Sequence, residues 1–154
     1  MTVAWRIAQR EYWSTAFDGI GSKIAGSRWN SIGIPAVFLA DTLALAQLET
    51  LVHIPRKRLS ELDVGIALVE FDEHLVVHVT DKDLPLDWRE SPWPQNTQKL
   101  GDDWLQKRSS PILRLPSAVS PTDFNYLINP LHADFRKITI GPFHPFTFDS
   151  RLAK

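Results

Sequence analysis

The run Pro35-Ala36-Val37-Phe38-Leu39-Ala40 is short and apolar with turn signals on both sides, the pattern of a strand buried on both faces. Directly after it, Ala44, Leu45, Leu48, Leu51 and Val52 recur at helical period, with Asp41 or Thr42 placed to cap the start and Pro55 just beyond the end. At about 100° per residue, Glu49 falls beside Leu45 and Val52, on the border of the apolar stripe. That position predicts a half-buried carboxylate.

Elsewhere the pattern favours strands. Val64 to Phe71 and Leu75 to Val79 are β-branched and apolar, and the Asp72-Glu73-His74 link between them suggests a hairpin. Residues 111–116 read as a strand closed by proline, and 138–140 and 143–148 as two more strands joined by Gly141-Pro142. Thr97 to Lys107 reads as a short helix with Leu100, Trp104 and Leu105 inward, despite Gly101. Ser120-Pro121-Thr122-Asp123 resembles a capped helical turn, ended by Asn129-Pro130. The stretch from Trp5 to Ala25 is ambiguous, 26–34 reads as a loop, and 85–94 is proline-broken. Strand and helix signals do not alternate strictly enough for a doubly wound sheet, so a single α+β domain over 1–154 is expected.

A length of 154 residues suits one core that buries roughly 70% of the unfolded surface. Seventeen Lys and Arg against eighteen Asp and Glu give a net charge of -1, which disfavours direct nucleic-acid binding. Cysteine is absent, removing disulfides, thiolate metal sites and a Cys nucleophile and fitting a cytoplasmic location. No export signal or membrane-spanning run is legible.

Several kinds of chemistry fall away on spacing. His74 and His78 on one strand would stand about 13 Å apart, too far to share an ion, and His53, His132 and His144 lack partners at ligand spacing, so no metal is expected. Neither a glycine-rich phosphate loop nor a Gly-x-Ser-x-Gly elbow occurs. The six tryptophans suit either core packing or the walls of a site for a flat ligand.

An ordered series of motifs remains: Trp5-Arg6, Gly26-Ser27-Arg28-Trp29-Asn30, the strand at 36–40, Leu48-Glu49 with Val52-His53, Leu115-Pro116-Ser117-Ala118, Asn125-Tyr126-Leu127-Ile128-Asn129-Pro130, and Phe146 to Leu152. Together they resemble the RES domain, named for a recurrent Arg, Glu and Ser. The resemblance implies an α+β fold similar to ADP-ribosyltransferases, and a toxin that degrades NAD under the restraint of an Xre-type antitoxin. It also implies a role for each matched residue. Glu49, Arg28 and Ser117 would be catalytic, while Arg6, Arg28, Phe38 and Asn125 would bind NAD.

The chemistry of these side chains suits that assignment. Guanidinium groups grip a pyrophosphate with directional, charge-assisted bonds, and a carboxylate such as Glu49 stabilises a cationic ribose. Ser117 is expected to orient the substrate. NAD would be the substrate, with no further cofactor, and water or phosphate the acceptor. Transfer of ADP-ribose to a protein, or a weakened domain that only binds its antitoxin, are the alternatives, and a homodimer within the complex is compatible with all of them. Phe38 stands where the family usually has Tyr, which keeps the stacking ring but removes the phenolic donor. Tyr12 and Tyr126 are the candidate substitutes.

Overall fold

The computed structural model describes residues 1–154. A mixed eight-stranded sheet organises the chain. Its strands are β1 (Thr2–Gln9), β2 (Val37–Ala40), β3 (Val64–Phe71), β4 (Val76–His78), β5 (Ile112–Pro116), β6 (Phe124–Ile128), β7 (Thr139–Ile140) and β8 (His144–Phe146). Three helices accompany them: α1 (Ile20–Ala25), α2 (Leu43–Leu51) and α3 (Gln95–Lys107). The spatial order is β4-β5-β6-β2-β1-β3-β7, with β8 also on β3. Only β4 and β5 run parallel; every other pair is antiparallel. The expected α+β architecture is therefore present.

Alternation along the middle strands divides the interior into two layers. Val37 and Leu39 of β2, Ile112 of β5, and Tyr126 and Ile128 of β6 pack with Val69 and Phe71 on one face. Leu113, Leu115 and Leu127 point to the other, against Trp29, Trp88, Trp104 and Leu105. Apolar residues on both faces are what made 35–40 legible as a doubly buried strand.

Three sequence expectations need correction. Val64–Phe71 and the strand at 76–78 form no hairpin. Both neighbours of β3 are already taken, by β1 on one side and by β7 and β8 on the other, so β4 crosses to the opposite end of the sheet and pairs with β5. The signal at Ser120-Pro121 is a turn and not the start of a helix: Asp123 N–H donates to Ser120 O at 2.9 Å and Ser120 Oγ to Asp123 Oδ2 at 2.7 Å. The aromatic and branched run Phe124–Ile128 then enters the sheet between β5 and β2. Lastly, the ambiguous segment after the N-terminus holds β1, which pairs with β3 over its whole length.

Strands β7 and β8 lie one after the other along β3, and the register slips by one residue between them. They act as one edge strand interrupted by a bulge at Gly141-Pro142. A side chain at Gly141 would meet the Leu68 carbonyl oxygen at 2.8 Å, which explains the glycine.

The helices are placed by specific contacts. Thr42 caps α2, its hydroxyl accepting from Leu45 N–H at 3.0 Å, and Leu45 and Ala46 pack with Ala40, Trp5 and Ile7. Helix α3 approaches the 26–34 loop so closely at Gly101 that a β-carbon there would lie 1.7 Å from the Trp29 carbonyl oxygen. A glycine disfavoured by helix propensity is thus required by packing.

Candidate active site

β1 and β2 are hydrogen-bonded neighbours at one register pair only, Trp5 with Ala40. Beyond it the two strands diverge, and a cavity of about 890 Å³ opens along the split. Trp5, Arg6, Ala8 and Gln9 line one side, Phe38 and Ala40 the other, and Glu49, Thr50 and His53 of the α2 region close one wall. The volume lies within the usual range for small-molecule sites.

Arg6 bridges the split. Its Nε donates to Ala16 O and its Nη1 to Phe38 O, both at 2.9 Å, and its guanidinium lies 5.9 Å from the Phe17 ring. Burial lowers its pKa to about 10, partly offset by Asp18, so it remains charged at neutral pH. Its Nη2 takes no protein acceptor.

The triplet Arg28-Trp29-Asn30 divides its labour by residue type. Trp29 is buried against Trp88, with ring centroids 6.1 Å apart. Asn30, fully buried, staples the loop by donating to Ser22 O at 3.1 Å and Ile34 O at 2.9 Å and by accepting from Ser27 Oγ. Arg28 reaches the cavity. Its Nη1 donates to Trp88 O at 2.5 Å and Glu90 O at 2.8 Å, leaving Nε and Nη2 without protein partners. Burial lowers its pKa while the Glu49 carboxylate raises it. Opposite charges therefore line the same cavity, near enough to influence each other.

Glu49 is half-buried, as its place on the helix border predicts. Ser117 Oγ donates to Glu49 Oε1 at 3.0 Å and accepts from Val119 N–H at 3.1 Å and Ser120 N–H at 3.2 Å. A serine hydroxyl offers one donor and two acceptor lone pairs, and all three are used. Ser117 is also fully buried and absent from the cavity wall. Its hydroxyl is thus spent on protein groups in this structure, one of them Glu49, whose Oε2 stays free of protein partners.

The fold thus brings Arg6, Arg28, Phe38, Glu49 and Asn125 to one cavity, with Ser117 behind Glu49. Asn125 donates to Leu39 O at 3.3 Å, and its Oδ1 takes no protein donor. Of the two tyrosines, Tyr126 is buried on the opposite face against Phe71, and its phenol is pushed up by burial. Tyr12 lies on the cavity wall and is 55% exposed, so of the two it is the one that can present a phenol there.

Two wall residues, His53 and Trp93, received no site role from the sequence. His53 follows Glu49 by one helical turn, a spacing that would have found it. Trp93 emerges from the proline-broken segment, where no periodicity could assign it. No group of three or more potential metal ligands gathers anywhere in the fold, and no helix is long and apolar enough to cross a membrane.

A family model described as the RES domain matches residues 3–149. The chain is 37% identical over 151 residues to "Toxin Res" of Yersinia enterocolitica, covering 96% of this chain and 97% of that one. It is 32% identical over 158 residues to the "Prs ADP-ribosylating toxin" of a Sphingobium species, covering 99% and 98%. Among solved structures, the M.tuberculosis MbcT-MbcA toxin-antitoxin complex contains a chain similar in fold, with a TM-score of 0.78 at 14% identity, covering 99% of this chain and 86% of that chain.

Proposed function

The chain belongs to the RES domain family, whose fold is ADP-ribosyltransferase-like, and from that premise we propose that it is a toxin that cleaves NAD between nicotinamide and ribose. The observation that carries this reading is the Glu49 carboxylate, held by Ser117 in the cavity that Arg6 and Arg28 also line.

Breaking the C–N bond sends its electron pair to the pyridinium nitrogen, so nicotinamide leaves neutral and needs no proton. Positive charge develops on the ribose. A carboxylate fixed beforehand in a partly dry site stabilises that charge with little reorganisation. The Ser117 bond leaves Oε2 of Glu49 free for this task. Arg6 and Arg28, with Nη2 of the first and Nε and Nη2 of the second unspent, supply charged donors for the two phosphates. Phe38 offers a ring for stacking and Asn125 an amide oxygen.

Water or inorganic phosphate then attacks the ribose carbon, giving ADP-ribose or its phosphate ester. NAD is here the substrate and not a resident cofactor. An antitoxin partner belongs to the same proposal, supported by the toxin-antitoxin complex with the similar fold; its Xre type and a cytoplasmic setting extend that proposal. Transfer to a protein acceptor is a second reading, favoured by the name of the Sphingobium relative.

Purified protein incubated with NAD, with and without phosphate, tests all three acceptors by chromatography and by label transfer to protein. Nicotinamide release that Glu49→Gln abolishes is expected. Intact NAD after prolonged incubation with folded protein refutes the proposal.

A further inference from the structure

The six tryptophans are used unequally. Trp29, Trp88 and Trp104 are buried. Trp13 stacks on Phe143 at 5.4 Å and donates its indole N–H to Ala8 O at 2.9 Å, and Trp5 packs with Ala40 and Leu45. Trp93 does none of these things. It is 40% exposed, makes no ring-ring or cation–π contact, and its indole N–H has no protein acceptor, yet it stands on the cavity wall with Ser91, Ala118 and Val119.

Its segment is tied down at several points. Arg28 Nη1 holds Trp88 O and Glu90 O, Arg89 Nη2 donates to Ala118 O at 3.4 Å, and the buried Trp88 ring leans on Trp29. At the far end, where α3 starts, Thr97 Oγ1 donates to Pro94 O at 2.9 Å. The guanidinium that shares the cavity with Glu49 therefore also holds the segment that carries the indole, linking the charged centre to the aromatic wall through one side chain.

We infer that Trp93 is the stacking platform for one of the two flat nitrogen heterocycles of the dinucleotide, a ring-binding residue in addition to Phe38. This rests on the NAD reading above. An unpartnered indole on a concave wall loses apolar exposure when a planar ring covers it, and a cavity of this size admits a small molecule where a flat protein surface does not enter. The polar grip of Arg6 and Arg28 and the apolar face of Trp93 would then divide recognition between phosphate and ring.

The test is equilibrium binding of NAD, AMP and nicotinamide mononucleotide to the full chain carrying Glu49→Gln to stop turnover, alone and with Trp93→Ala, Trp93→Leu or Trp93→Phe. Loss of a base-aromatic stack weakens binding by about 5- to 100-fold. That loss is expected for NAD in the Ala and Leu variants, and for only one of the two half-molecules, which identifies the ring. The Phe variant should retain most of the affinity, and thermal midpoints should match the parent. Trp93→Ala and Trp93→Leu proteins that bind NAD as tightly as the parent overturn the assignment while leaving the NAD reading intact. A folded parent that binds no NAD overturns both.

Discussion

Gly101→Ala tests the packing that holds the cavity together, independently of any proposed chemistry. On helix propensity alone the substitution should stabilise α3 by about 1 kcal/mol. The structure predicts the opposite. The new β-carbon would sit 1.7 Å from the Trp29 carbonyl oxygen, and since contacts under 3.0 Å are essentially never seen, α3 and the 26–34 loop must separate by more than an ångström. That movement strains Gln98 Nε2 to Ser27 O at 2.9 Å and Ser31 N–H to Asp102 Oδ1 at 2.8 Å. Overpacking costs about 1–3 kcal/mol and each lost hydrogen bond about 1, so after the propensity gain the net loss is about 2–4 kcal/mol. For a domain of this size that corresponds to a fall in Tm of roughly 5–15 °C. Calorimetry or far-ultraviolet circular dichroism measures it directly. A Tm that rises, or does not move, refutes the close approach. Because Arg28 rides on the displaced loop, NAD turnover should fall as well, even far below the melting temperature.

Ser117→Ala should lower kcat about 10- to 100-fold by freeing the Glu49 carboxylate, with KM little changed; an unchanged kcat, or a loss confined to KM, would mean that Ser117 does not act through Glu49. Phe38→Tyr restores a phenolic donor on the cavity wall and is expected to raise kcat/KM for NAD, as steady-state nicotinamide release would show. Asp41 carries a buried oxygen without a partner, and burial holds its carboxyl above the usual range. The native state therefore binds that proton more tightly than the unfolded chain, so the stability this group contributes is greatest below its unfolded pKa and is lost as pH rises through the folded one. Asp41→Asn should remove that loss, raising Tm relative to the parent more at pH 7 than at pH 4; an equal change at both would contradict the shift.

The parts of the fold that sequence made legible are those decided locally. The doubly apolar β2, the capped helix α2 and the border position of Glu49 each follow from periodicity within a few residues. What escaped was decided at long range. β1 resisted assignment because the charged Arg6 interrupts its pattern, and Arg6 is there to meet carbonyls of residues 16 and 38. The link at 72–74 is short enough for a hairpin, but which strands occupy the edges of β3 is written at the two termini of the chain. In the site, the motif residues do converge, yet no pattern distinguishes a serine that contacts a ligand from one whose three bonding positions are already filled.

The split between β1 and β2 also changes how Arg6 variants should be interpreted. Beyond the one backbone-paired position, Trp5 with Ala40, a guanidinium takes the place of the ladder of backbone bonds that would normally join two strands along the cavity. An anion held by the free Nη2 draws on a cation that the protein's own carbonyls already share, and an inhibitor that engages it tightly would loosen the seam it occupies. Loss of activity on replacing Arg6 would therefore mix a binding defect with a mechanical one. Only measurements of ligand affinity and of local amide exchange on β1 and β2, made on the same variant, would separate the two.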